Sequence, residues 1–331
     1  MPIRILTEAE LRECAVINHD ALAVVEQAFT WLAEDRAVMP PIMHVSVTDR
    51  HGDVDIKSAY VRGLPNFAVK IASGFFDNPK RGLPSSSGMM VIMDAGTGFC
   101  TAIMLDNGYL TDLRTGLAGA VAARYLAPEK VVTAGVIGTG VQARYQIRSL
   151  ALVRTFERLL VFGRDPARCN AYIQDMEDMT IRLGIEVSAC DSIESLVKAC
   201  DLVVTTTPSR QPLIRADWLH PGLHVTAMGS DLGGKQELEA AALARASLLV
   251  CDRRAQCAVM GELQHAVAEG LMDENAPLEL GEITSGKHSG RSSEEAITIC
   301  DLTGTGVQDT AIASLALDRA KSMGLGTEIG R

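Results

Sequence analysis

Apolar and polar positions change their period twice along the chain. From Asp20 to Arg36, Leu22, Val25, Phe29 and Leu32 recur at helical spacing, and Asp20 is placed to cap the segment. Shorter runs follow. Residues 54–61, 67–72, 89–93 and 100–105 read as strands, the last two joined by the turn sequence Asp94-Ala95-Gly96-Thr97-Gly98. This part of the chain is a strand-rich antiparallel region.

Helical character returns over 111–126 and stops at Pro128. From Val131 the pattern alternates. Strands are expected at 131–137, 158–162, 185–189, 202–206, 224–228 and 248–251, with helices at 141–152, 165–182 and 192–199. The run 131–137 is apolar without alternation, as in a strand covered on both faces. Strand–helix alternation of this kind predicts a doubly wound parallel sheet. A last helix, 308–323, has no strand after it and returns to the first domain. The expected organisation is therefore α/β: residues 1–116 with 310–331 form a strand-rich α+β domain, and 117–309 form a Rossmann dinucleotide-binding domain.

Composition narrows the function classes. A chain of 331 residues fits two domains rather than one core. A net charge of -10 argues against a nucleic-acid partner, because phosphate binding needs a basic face. No apolar run reaches the roughly 18 residues of a membrane span. The first ten residues mix charges early and lack a signal-peptide core, so a cytoplasmic protein is expected. The eight cysteines form no C-x-x-C pair and read as reduced, mostly buried thiols, with no metal site expected. Aromatic residues are only 4%, which leaves Ala, Val, Leu and Met to fill the core.

Val136-Ile137-Gly138-Thr139-Gly140-Val141-Gln142-Ala143 matches G-x-G-x-x-A between an expected strand and an expected helix. Gly138 permits the tight turn, Gly140 admits a pyrophosphate, and Ala143 allows close helix–strand packing. The next strand ends Phe162-Gly163-Arg164-Asp165. Gly163 occupies the position of the acid that binds the ribose of NAD, and Arg164 suits a 2′-phosphate, which favours NADP(H) over NAD(H). Asp165 offers a ribose acceptor if the loop shifts by a residue or two.

Three further segments carry unusual polar residues. Lys70 interrupts the apolar strand Phe67-Ala68-Val69-Lys70-Ile71-Ala72; it either has a buried partner or reaches solvent along its stem. Arg114 falls in the first turn of a helix, where it holds a ligand or pairs with Asp112 or Glu129. Asp231 follows a strand in Ala227-Met228-Gly229-Ser230-Asp231, at a sheet end of the kind that holds ligands, or else caps a helix starting near Gln236. Lys57, on another strand-like run, reads as an exposed lysine. His44, His51 and His265 read as surface or core histidines, and Thr205-Thr206-Thr207 as a strand end that can border the cofactor.

Taken in order, the segments 67–73, 109–125, 135–144, 201–209, 227–238 and 304–309 resemble the ornithine cyclodeaminase/mu-crystallin family over nearly the whole chain. Segments 54–60, 74–80 and 105–112 are most similar to its ectoine-utilisation branch. Segments 227–238 and 261–266 are also similar to its iminosuccinate reductase branch. The resemblance implies a homodimer built through the strand-rich domain, an active site between the domains, and a small carboxylate-bearing amino acid or imine as substrate. It implies that Lys70 and Arg114 hold the carboxylate and that Asp231 is the acid/base at nitrogen. Implied cofactor contacts, besides Gly138, Thr139, Gly140 and Arg164, are Ser85, Arg114, Thr115, Val141, Gln142, Thr206, Met228, Ser230, Lys235 and Val307. Many family members carry an arginine after the first helix; here Pro40-Pro41-Ile42-Met43-His44 stands there, which makes His44 the substitute substrate contact. The implied activity is imine reduction, with ectoine or hydroxyectoine breakdown as its setting and a dehydratase as pathway partner. The family also contains redox-neutral cyclodeaminases, iminosuccinate or ketimine reductases, amino-acid dehydrogenases and non-catalytic NADPH binders.

Overall fold

Lys70 interrupts an apolar strand and Arg114 stands near a helix start, and the fold explains what surrounds them. The computed structural model describes residues 2–330, apart from the side chain of Pro79; Met1 and Arg331, the outer ends of the first expected domain, lie outside the described residues. The chain forms two compact units, Met1–Arg114 with Thr305–Arg331, and Thr115–Gly304.

The first unit is built on an eight-stranded sheet in the order Thr327–Ile329, Ile3–Thr7, Cys100–Leu105, Ser86–Asp94, Asn66–Phe75, Gly52–Val61, Ala37–Val38, with Met43–Val47 also paired to Gly52–Val61. All pairings are antiparallel except Ile3–Thr7 with Cys100–Leu105. The strand Thr327–Ile329 corrects the expectation that nothing extended follows the last helix; at three residues it is too short to show a period. Alternation along the strands buries Ala59, Val61, Ala68, Met90, Ile92, Ala102 and Met104 on one face. Helix Gly306–Met323 packs there against strands Gly52–Val61 and Asn66–Phe75 and against helix His19–Ala33. That second helix is capped by Asn18, whose side chain accepts from the Ala21 N–H at 2.9 Å, rather than by Asp20, which pairs with Arg319 instead. The other face of the sheet carries Ile56, Val69, Ile71, Val91 and Ile103, all only half-buried.

The second unit holds an all-parallel sheet in the order Glu186–Ala189, Arg158–Phe162, Thr133–Ile137, Leu202–Thr205, His224–Ala227, Thr298–Asp301, Leu248–Cys251, Leu278–Glu279. Its first strand, Thr133–Ile137, is covered on both sides: Ile137 packs with Leu196 and Val203, while Ala134 and Val136 pack with Ile147 and Leu159. That is why the run shows no alternation. The strand order reverses between Thr133–Ile137 and Leu202–Thr205, and the crevice beyond such a reversal is where doubly wound sheets hold ligands. Thr298–Asp301 had no periodic signature, because four residues with a polar group at each end do not read as a strand. The helix expected near Gln236 is a strand, Gln236–Leu238, paired with Arg210–Ile214.

Candidate active site

In the first unit the sheet and two helices bring together three cations and one carboxylate. Lys70 lies mid-strand, in register with Lys57 on one neighbour and Met90 on the other. Arg114 stands in the second turn of helix Tyr109–Leu126, one turn later than expected. Asp309 enters from the first turn of helix Gly306–Met323, which Thr305 and Gln308 cap reciprocally. The Lys70 Nζ is 2.9 Å from Asp309 Oδ2 and donates to Oδ1 at 3.1 Å; the Arg114 Nε donates to the same Oδ1 at 3.0 Å. Lys70 is 2% exposed and Arg114 5%, so neither reaches solvent along its stem, and Arg114 pairs with neither Asp112 nor Glu129. Lys57, expected on an exposed face, is also buried.

Burial drives the Lys70 pKa down, Arg114 and Lys57 add to this, and Asp309 opposes it; the result is about 7. Burial alone would raise the Asp309 carboxyl, but Lys70 and Arg114 hold it below its ordinary value. His44 lies on Met43–Val47, in register with Asp55 and on the sheet face that carries Lys57 and Lys70. Its Nδ1 is 2.7 Å from Asp55 Oδ1. Ser85 is exposed just before strand Ser86–Asp94. Val307 has its side chain in the core, packed with Ala28, Leu32, Ala59 and Ala311.

In the second unit the glycine loop has the expected shape. Gly138 adopts φ +116°, and a Cβ there would lie 2.5 Å from Thr206 Oγ1, so the turn and the close approach both require glycine. Thr206 is fixed beside it by its own N–H, which donates to the Ile137 carbonyl at 2.9 Å. Gly140 is the N-cap of helix Val141–Leu150, makes no side-chain cap bond, and has open space where a Cβ would stand. An uncapped helix N-terminus beside open space fits a pyrophosphate. Arg144 closes the back of the loop: Nη1 donates to the Thr139 and Gly140 carbonyls at 2.8 and 2.9 Å while Nε binds Asp175. Val141 and Arg164 are exposed, and Thr139 and Gln142 half-buried. Asp165 is used as the N-cap of helix Pro166–Leu183, accepting from the Ala167 N–H at 2.9 Å. A side chain at 163 would meet Thr139 Cγ2 at 2.8 Å and Cys169 Sγ at 3.0 Å.

Asp231 is half-exposed and pairs with Lys235, Nζ to Oδ1 2.6 Å. Met228 and Ser230 are buried, and Ser230 donates to the Lys235 carbonyl at 2.9 Å. Thr115 accepts from Gln146 Nε2 through its carbonyl at 2.9 Å. The strand ends around these residues are held by a carboxylate that sequence reasoning missed. Glu237, fully buried, accepts from the Thr205 hydroxyl at 2.6 Å, the Thr207 N–H at 2.6 Å and the Gly229 N–H at 2.7 Å. Glu262 in turn accepts from the N–H groups of Glu237 and Leu238 at 2.8 and 3.0 Å. Asp309 and Gln308 were missed as well, although both lie in or beside segment 304–309; a carboxylate among the small and apolar residues of a buried helix is the signal that finds Asp309.

Comparison with known proteins gives the family and the fold relatives of the chain. The model of the ornithine cyclodeaminase/mu-crystallin family matches residues 3–324. The chain is 48% identical to an uncharacterized cyclodeaminase, y4tK, of Sinorhizobium fredii over 98% of each chain. Among solved structures, an archaeal alanine dehydrogenase dimer with bound NAD superposes with a TM-score of 0.92 at 33% identity, covering 100% of this chain and 99% of that one. The Δ1-pyrroline-2-carboxylate reductase of Thermococcus litoralis, in complex with NADH and L-proline, gives 0.91 at 29% identity, covering 99% and 100%.

Proposed function

The chain belongs to the ornithine cyclodeaminase/mu-crystallin family, and on that premise we propose that it is a nicotinamide-dependent oxidoreductase that reduces the C=N bond of a small carboxylate-bearing imine. The observation that carries the reading is the buried pair Lys70 and Arg114, both held on Asp309 Oδ1: a lysine and an arginine fixed side by side out of water suit the carboxylate of a ligand. Lys70 and Arg114 grip the substrate carboxylate and fix the plane of the imine. Asp231, open to solvent and paired with Lys235, relays a proton to the nitrogen. The nicotinamide, when bound, supplies the hydride. Gly138, Gly140 and the first turn of helix Val141–Leu150 hold its pyrophosphate.

The cofactor is NADP(H) in this reading. No side chain fits at 163, Asp165 is committed as a helix cap, and Arg164 stands exposed beside the loop for a 2′-phosphate. The half-buried apolar sheet face of Ile56, Val69, Ile71, Val91 and Ile103 suits a second copy, giving a homodimer; a sedimenting monomer at micromolar concentration would overturn that part. The likeness of segments 54–60, 74–80 and 105–112 to the ectoine-utilisation branch makes an imine from ectoine or hydroxyectoine breakdown, released by a dehydratase, the natural substrate.

One experiment tests the core of this. Purified protein is titrated with NADPH and NADH by fluorescence, and turnover of Δ1-pyrroline-2-carboxylate, or of pyruvate or oxaloacetate with ammonia, is followed as nucleotide consumption. Asp231→Ala should lose turnover by a hundredfold or more, about 3 kcal/mol, and keep nucleotide affinity. Turnover without net nucleotide consumption would point to a cyclodeaminase instead, and tighter binding of NADH than NADPH would remove the phosphate role from Arg164.

A further inference from the structure

We propose that Asp309 is a positioning residue whose carboxylate holds Lys70 and Arg114 in place for the incoming substrate carboxylate. The inference rests on the assignment of Lys70 and Arg114 to the substrate carboxylate in the preceding subsection and adds the group that makes that pair work.

The geometry is that of a fixed hub. Asp309 Oδ1 accepts from Lys70 Nζ and Arg114 Nε together, and Oδ2 lies 2.9 Å from Lys70 Nζ. A lysine on a strand and an arginine on a helix are thus tied through one atom of a third element. The guanidinium is held at a second point. Arg114 Nη1 donates to Gln308 Oε1 at 3.4 Å, and that oxygen also accepts from the Thr305 N–H at 2.8 Å. With the Thr305 hydroxyl at 3.3 Å, three donors on Oε1 fix which way the Gln308 amide faces, so its orientation follows from the hydrogen bonds. With Nε and Nη1 committed, Arg114 Nη2 is the edge left for a ligand, and a planar guanidinium pinned on two nitrogens keeps that edge in one direction.

The charge balance explains why a carboxylate is needed at the hub. Four titratable groups act on Lys70 from the elements packed around it. Lys57 comes from the neighbouring strand and Arg114 from helix Tyr109–Leu126; Asp106 comes from the turn before that helix and Asp309 from helix Gly306–Met323; the other neighbouring strand offers only Met90. Burial and the two cations favour a neutral Lys70, and Asp309 is the group in hydrogen-bond contact that favours the ammonium. Without it, the lysine would lose its proton at neutral pH and with it the Coulombic part of its hold on an anion.

The test measures carboxylate affinity against pH rather than turnover. Full-length protein, saturated with whichever oxidised nicotinamide nucleotide it binds more tightly, is titrated calorimetrically with pyruvate from pH 5.5 to 9. In the wild type, affinity should fall as pH rises through about 7, where Lys70 loses its proton. In Asp309→Asn the midpoint should move down by about one to three pH units, and pyruvate affinity at pH 7 should drop at least about tenfold, with nucleotide affinity unchanged. A folded Asp309→Asn protein with the wild-type midpoint overturns the proposal. If that variant does not fold, the same comparison is made between Lys57→Met and Lys57→Met/Asp309→Asn, where loss of one cation offsets loss of the anion; an unmoved midpoint there overturns it equally. Lys70→Met and Arg114→Met serve as the separate control. If both bind pyruvate as the wild type does, or if the wild type does not bind it at all, the substrate reading fails, whatever Asp309 does.

Discussion

The two units bury charge in opposite ways. In the first unit, Lys70 and Arg114 share one carboxylate, Asp309, with Lys57 buried on the adjacent strand. In the second, Glu279 pairs with Arg253 and Arg254, but four other buried carboxylates, Glu237, Asp252, Glu262 and Asp301, have no lysine or arginine on them among the described residues; their partners are backbone N–H groups, threonine hydroxyls and the Cys257 thiol. Burial raises all four carboxyls, Asp301 to about 7. The difference teaches which buried charges are structural. A carboxylate ringed by amide donors at strand ends closes its own account of hydrogen bonds and holds loops in place. A lysine and an arginine tied to one carboxylate keep donors that a second acid can take up.

The largest expected effect is therefore on stability and comes from the second unit. Glu237→Ala leaves the Thr207 and Gly229 N–H groups and the Thr205 hydroxyl buried without an acceptor, at about 1–3 kcal/mol each. We expect a loss of about 4 kcal/mol or more in denaturant unfolding, a large share of the 5–15 kcal/mol typical of a domain, and a weakened grip on nucleotide because Thr206 lies between two of the freed groups. A loss below about 1 kcal/mol would show that these strand ends do not depend on the carboxylate, and the contrast between the units would fail.

The same contrast separates what the sequence made legible from what it did not. The glycine loop was readable because its chemistry is local: strand, turn and helix start lie within eight consecutive residues, and each glycine answers a steric demand that Thr206 and the open helix end make visible. The doubly wound sheet was readable because apolar runs recur at regular intervals, although Thr298–Asp301, polar at both ends, did not register; nor, in the other sheet, did the three-residue strand Thr327–Ile329. Lys70 stood out as a charge in an apolar strand and Arg114 as a charge near a helix start, but their partner could not be inferred. Asp309 is 239 residues from Lys70 and reaches it only because the last helix packs back on the sheet. Lys57 looked exposed for a related reason: alternation gives the face a residue occupies, and helix Gly306–Met323 covers that face from the far end of the chain. Glu237 stayed hidden because a glutamate on a three-residue strand has no local signature.

Lys70→Met is the smaller effect and the finer discriminator, since it should change sign with pH. Unfolded, a lysine loses its proton near 10.5; folded, Lys70 does so at about 7. Between those values the unfolded chain binds more protons, so the contribution of Lys70 to folding rises with pH across the window, is fully present above 10.5, and is lost as pH falls through 7. At pH 7 and below, replacing it with methionine removes a buried cation that Arg114 and Lys57 repel, while Asp309 keeps Arg114 as a partner, so the variant should match or exceed the wild type. As pH rises toward 10 the wild type should gain on it by several kcal/mol, at most about 5, with the other titrating groups cancelling in the difference. Denaturant midpoints of both proteins at pH 6.5, 8 and 9.5 read this directly, as rough sampling points across the window. A variant that is less stable than the wild type by the same margin at all three would mean that Lys70 is a structural ion pair, settled like the carboxylates of the second unit, and its burial beside Arg114 would then say nothing about a ligand.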